Sequence, residues 1–213
     1  AGPRTIIIPI LNIYGTGARV QKELPDCTVL DGCIYVSASL EHPGVLVQHG
    51  PILRVVFGSR NPSYISPILS AIQADRCESG IDGVLSTHIQ RDALEKFSYV
   101  SPIGAAGVYL HAVAGDFQKE GAARELFKSM IREISTLAAA MGYPFEKDYV
   151  KINLEILSNL SADATTSMQR DIMEGKPSEL DGLVMEPLRL AKKYSVSMPC
   201  YEEVAKVLCP LEF

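Results

Sequence analysis

Lys96 in "RDALEKFSYVSPIG", and Ser167 and Glu179 in "TSMQRDIMEGKPSELDGL", are the residues whose types could do chemistry. An ammonium donates protons, a hydroxyl donates or accepts, and a carboxylate accepts, so together they could serve acid–base work and recognition of a small polar molecule. Each also has a plainer explanation. A glutamate in a first helical turn is stabilised by the helix dipole. A serine in a polar helical stretch can bond to its own backbone. A lysine on an amphipathic helix is normally solvated or paired with an acid, such as Asp92 four residues earlier. His42, His49, His88 and His111 lack metal-ligand spacing, so no metal is expected.

Composition limits the partners. With 47% apolar residues over 213 positions the chain can bury a real core. Twenty basic residues against 25 acidic ones give no general attraction to nucleic acid or to an anionic membrane, and neither is expected as a partner. The cysteines at 27, 33, 77, 200 and 209 form an odd set without a Cys-x-x-Cys pair. That pattern suggests neither a disulfide framework nor a zinc site, and fits a reducing cytoplasm. The apolar run "IIIPIL" is too short to span a bilayer and no basic leader precedes it, so a soluble, untargeted protein is expected.

The elements that must position these residues change character along the chain. Up to about residue 80 the signals are strand-like, with "EHPGVLVQHG" reading as a hairpin arm turning at "HPG". "NPSYISPILSAIQAD" reads as a helix capped by Asn61, with Ile65, Ile68, Leu69 and Ile72 on one face. Beyond about 84 the pattern is helical. Leu126, Met130, Ile134, Leu137 and Met141 mark one helix, stopped by Gly142 and Pro144. Val150, Leu154, Leu157, Leu160, Ala164, Met168 and Ile172 predict a second long helix over about 149–173, ended by Gly175 and Pro177. Ser178 then reads as an N-cap with Asp181 completing a capping box, Glu179 falls in the first turn, and Pro187 should bend the helix. "PCYEEVAKVL" is the last helix. Ser167 and Glu179 thus flank a helix end and the next helix start. "GTGARV" at 15–20 begins like a dinucleotide fingerprint, but Val20 replaces the third glycine and no βαβ unit with an acidic ribose contact about 20 residues later is convincing, so no nucleotide-binding loop is expected.

In order along the chain, these segments resemble the ketopantoate reductase (2-dehydropantoate 2-reductase) family. "TIIIPILNIYGTGARV" is similar to the family segment ending in a Leu-Pro-Leu-x-Asn-Gly run, and "YVSASLEHPGVLVQHGP" to the hairpin that follows it. "LEKF" resembles Trp-x-Lys-Leu/Phe, and "TSMQRDIMEGKPSELDGLV" resembles the family's C-terminal Ser-Met-x-x-Asp signature with its later Glu-(Ile/Leu)-Asp. The resemblance implies that Asn12 lies beside the nicotinamide and the substrate, that Lys96 is the catalytic lysine, that Ser167 contacts the substrate carboxylate, and that Glu179 contacts the substrate hydroxyl and the lysine. The implied reaction is NADPH-dependent reduction of ketopantoate to pantoate, toward pantothenate and coenzyme A.

The same resemblance implies an α+β chain. Residues 1–80 would be a β-rich C-terminal remnant of a Rossmann domain. Residues 81–213 would be an all-α substrate-binding and dimerisation domain of the 6-phosphogluconate dehydrogenase C-terminal-like type. The chain would start near the last parallel strand of the nucleotide domain, without its phosphate-binding loop, and would be inactive alone. Val100 and Gly104 replace asparagines common in the family, Ala164 replaces another, and Ile13 follows Asn12 in place of glycine. These departures favour an alternative 2-oxo acid as substrate. A more distant alternative is a helical interaction module without chemistry. A homodimer is the expected assembly.

Overall fold

β-branched and aromatic residues in alternation make the first part of the chain into strands. The computed structural model describes residues 2–61, 63–64 and 66–210, and the chain divides between Ala93 and Leu94 into two units. The first contains β1 (Ile6–Ile7), α1 (Thr16–Glu23), β2 (Thr28–Val29), β3 (Asp31–His42), β4 (Val45–Gly58), α2 (Pro67–Glu78) and β5 (Asp82–Leu85). β3 and β4 form the expected antiparallel hairpin, turning at Pro43 and Gly44, where φ of 86° favours glycine. β4 also pairs in parallel with β5 through α2, and Phe57 at its end packs with Leu30 and Leu69 in the core.

One expectation fails in this unit. Asn61 does not cap α2; its side chain accepts the Ser63 N–H at 3.0 Å. α2 opens instead at Pro67, whose missing N–H is one that a first turn leaves unpaired anyway. Ile65 lies outside the described residues. "GTGARV" lies in a short parallel β1–α1–β2 unit, in which Gly15 adopts φ of 79° just before α1. Gly17 lets α1 sit against the following strand, since a Cβ there would collide with the Asp31 carboxylate and the Leu30 carbonyl. That carboxylate is already engaged by Arg60 at 2.9 Å and by Gln90.

The second unit is helical, so the α+β expectation holds. It comprises most of α3 (Ile89–Leu110), then α4 (Ala114–Gln118), α5 (Ala122–Ala140), α6 (Tyr149–Ser158), α7 (Ser167–Met173), a π-helical turn (Asp181–Met185), α8 (Glu186–Tyr194) and α9 (Pro199–Leu208). α5 is its centre. Phe127, Met130, Ile131, Ile134 and Leu137, spaced by threes and fours, are all buried. Tyr99 and Phe117 meet the Phe127 ring edge-on, with centroids 6.0 and 5.9 Å away. Glu133 reaches from α5 to the start of α9 and accepts the Cys200 and Tyr201 N–H groups at 2.8 and 3.1 Å. It supplies the cap that Met198 cannot.

The long helix expected over 149–173 is two helices. Gln118 Nε2 donates to the Leu157 and Leu160 carbonyls at 3.0 and 2.9 Å, closing α6. The Ala162 and Ala164 carbonyls then accept N–H groups of Gly115 and Ala114, fixing an irregular segment. Thr166 restarts the helix through a capping box with Gln169. Leu160 is 40% exposed, so the apolar spacing through it was not a buried stripe.

Replacing Phe127 with alanine should destabilise the helical unit by about 3–5 kcal/mol, read as a lower urea midpoint at unchanged slope. Val207→Ala, at a side chain 59% exposed, should stay within about 0.5 kcal/mol of the parent.

Candidate active site

Two prolines shape the helices that carry Lys96 and follow Glu179. Pro102 sits inside α3 and cannot donate to the Ser98 carbonyl one turn earlier. Asn153 of α6, 1% exposed, donates to that carbonyl instead, at 3.1 Å. Pro187 likewise cannot donate to the Leu183 carbonyl, and Ser101 Oγ does so at 2.6 Å. Because Ser101 has one proton and gives it to Leu183, the Tyr201 hydroxyl must donate to Ser101 Oγ. Complete burial pushes the Tyr201 phenol far above its ordinary value, so it remains a neutral donor. Among the described residues no buried side-chain nitrogen or oxygen lacks a partner.

Lys96 lies on α3, half-buried, with Leu94 and Phe97 beside it in the core. Asp92, the acid one turn earlier, accepts the Ser86 hydroxyl. Ser167 does not lie near the end of a long helix. It is the first residue of α7, exposed, directly after the Thr166 cap. The first-turn N–H groups of α7 that lack intrahelical acceptors therefore lie beside its hydroxyl. Glu179 is half-buried and falls just before the next helix rather than in its first turn, its carbonyl accepting the Leu183 N–H at 2.9 Å. The Ser178 and Asp181 capping box does not form. The Asp181 carboxylate is drawn to Arg189 at 2.6 Å, and the Glu186 N–H bonds to the Asp181 carbonyl, widening the turn into a π-helix ahead of Pro187.

α3, which carries Lys96 eight residues earlier, meets at Gly104 the start of α7, which carries Ser167, and the π turn that follows Glu179. A Cβ on Gly104 would stand 3.0 Å from Met168 Cε, 3.8 Å from Leu183 Cδ1 and 3.9 Å from Thr166 Oγ1. α3, the start of α7 and the π turn thus converge where α3 has no side chain. Gln169, buried, ties α7 to the end of α3 by donating to the Ala112 carbonyl at 2.7 Å. Ser167 opens α7, and Glu179 lies four residues before Leu183. Asn12 belongs to the first unit. It is half-buried in the segment between β1 and α1, beyond the carboxyl end of β1, the side on which open parallel sheets bind ligands.

Ser101, Asn153, Gln169 and Tyr201 were not anticipated. The signal for two of them is in the sequence: a proline within a helical pattern orphans the carbonyl four residues earlier, and a buried polar group must meet it. For Gln169 the signal is the Thr-x-x-Gln of a capping box.

The Ketopantoate reductase PanE/ApbA C terminal family model matches residues 88–212. The oxidoreductase YkpB of Bacillus subtilis (strain 168), itself uncharacterized, is 24% identical over 202 residues, covering 94% of this chain and 66% of its own. The 2-dehydropantoate 2-reductase of Aquifex aeolicus (strain VF5) is 24% identical over 211 residues, covering 97% of this chain and 68% of its own. The crystal structure of 2-dehydropantoate 2-reductase from Methylococcus capsulatus shares the fold, with a TM-score of 0.87 at 23% identity over 100% of this chain and 67% of that one. The chain spans about two-thirds of the length of these relatives. With the match covering more than half of it, the chain belongs to the ketopantoate reductase family of oxidoreductases.

Proposed function

We propose that the polypeptide carrying this chain reduces ketopantoate to pantoate with NADPH, in pantothenate and coenzyme A biosynthesis. The supporting observation is the convergence at Gly104 of α3, which carries Lys96, the start of α7, which carries Ser167, and the π turn that follows Glu179, all inside the segment that matches the family. Reduction of a 2-oxo group builds negative charge on its oxygen. The Lys96 ammonium stabilises that charge and gives the proton that completes the hydroxyl. The Ser167 hydroxyl, beside the first N–H groups of α7, holds the substrate carboxylate. Glu179 accepts from the substrate hydroxyl and keeps the lysine in register.

Asn12 is proposed as a nicotinamide contact because it is half-buried beyond the carboxyl end of β1, where parallel strands bind ligands. NADPH, when bound, supplies the hydride. In this reading residues 1–80 are the C-terminal part of a nucleotide-binding domain. Residues 81–213 are the substrate-binding and dimerisation domain of a cytoplasmic homodimer. No helix of the described residues is long and apolar enough to cross a membrane.

A second reading keeps the chemistry and changes the 2-oxo acid. Gly104 presents no side chain, and the space a side chain would take is filled by Met168. Val100 and Ala164 also offer no hydrogen bond from their side chains. Fewer polar contacts favour a substrate with a less polar tail than that of ketopantoate.

Lys96→Ala in the full-length gene product should lower kcat by about 10²–10⁴-fold, followed as NADPH oxidation with ketopantoate, and Glu179→Ala should fall with it. Ser167→Ala should act mainly on KM for the 2-oxo acid, raising it roughly 10–100-fold for one lost bond to a charged group. Wild-type rates in both Lys96→Ala and Glu179→Ala would contradict these roles. The chain of residues 1–213 alone should not bind NADPH in a fluorescence titration, and saturable binding there would overturn the assignment of its first 80 residues. A panel of 2-oxo acids separates the two readings by kcat/KM.

A further inference from the structure

Ser101 is fully buried, and its hydroxyl links three elements of the helical unit. It donates from α3 to the Leu183 carbonyl in the π turn at 2.6 Å and accepts from Tyr201 of α9. Lys96 lies five residues before Ser101 on α3, and Glu179 lies four residues before Leu183. The bond therefore ties the Ser101 side chain of α3, the helix that carries Lys96, to the backbone of the turn that follows Glu179, a little over one turn from each. Had residue 187 been anything but proline, its N–H could have met the Leu183 carbonyl within the helix, and the carbonyl would not have needed a bond from α3.

We propose that Ser101, backed by Tyr201, is a positioning residue that sets the separation of α3 from the π turn, and with it the separation of Lys96 from Glu179. This rests on the catalytic reading of those two residues. Productive geometry tolerates displacements of only about 0.5 Å, and a misplacement of about 1 Å can lower a rate by roughly 10²-fold. Without the hydroxyl, the Leu183 carbonyl and the Tyr201 hydroxyl both lose a partner in a dry interior. α3 and the π turn would then shift to new contacts.

The test is a double-mutant cycle in the full-length gene product, assayed with NADPH and the preferred 2-oxo acid alongside thermal melting. Ser101→Ala should lower Tm and reduce kcat roughly tenfold or more, with KM for NADPH unchanged. Pro187→Ala restores a backbone N–H that can reach Leu183 within its own helix, and alone should leave kcat within about threefold of the parent. The double variant should regain Tm but not kcat, because the restored bond does not reach α3. Recovery of kcat together with Tm would show that Ser101 only satisfies a carbonyl and would overturn the proposal, as would a parental kcat in Ser101→Ala. If Ser101→Ala fails to fold, Tyr201→Phe carries the test: a several-fold fall in kcat is expected, and a parental kcat overturns it. An active Lys96→Ala variant would instead overturn the catalytic reading beneath the proposal, so the two failures are told apart.

Discussion

Two backbone carbonyls without their usual helical donors organise the helical unit. Pro102 and Pro187 each remove one hydrogen bond inside a run of helix, a change that costs about 3 kcal/mol or more when nothing compensates it. Leaving the freed carbonyl buried and unpaired contributes about 1–3 kcal/mol of such a cost. Asn153 and Ser101 remove that part by donating from neighbouring helices. Each local defect thereby becomes a tertiary link: α3 is tied to α6 at Ser98, and to the π turn and α9 at Ser101.

The rest of the unit supports those links. α5 supplies the dry centre, with Phe127 between Tyr99 of α3 and Phe117 of α4, and its Glu133 caps the start of α9, the helix that presents Tyr201. Small residues on α3 let neighbours approach. A Cβ on Gly107 would stand 2.7 Å from the Gln169 side chain, which binds the Ala112 carbonyl, and one on Gly104 would press on Met168. The start of α7, bearing Ser167, is thus held against the same helix that carries Lys96. A frame of that kind is what electrostatic stabilisation of a developing charge, in the proposed reaction, would require.

Much of this was legible in the sequence. The hairpin at "HPG", the amphipathic α5 and its stop at Gly142 followed from local periodicity and turn chemistry, which depend on neighbours in the chain. The order of motifs indicated the family. The break between α6 and α7 was missed because Leu160 and Ala164 keep helical spacing, whereas the Thr166 cap and the pairing of Ala162 and Ala164 with α4 decide the outcome. Asp181 resembled half of a capping box but lies within reach of Arg189, a stronger partner. Ser101 and Tyr201 are 100 residues apart, and nothing local announces their bond; only the position of Pro187 hints that the Leu183 carbonyl needs a donor.

The most direct test of the central claim, that α3, α7 and the segment before the π turn form one substrate site, is an NMR titration of the full-length protein with the preferred 2-oxo acid in the presence of NADP⁺. The account predicts that the backbone amides of Lys96, Ser167 and Glu179 shift together along one binding curve, and that the Met168 methyl shifts with them. Shifts confined to one of these elements, or following separate curves, would contradict it.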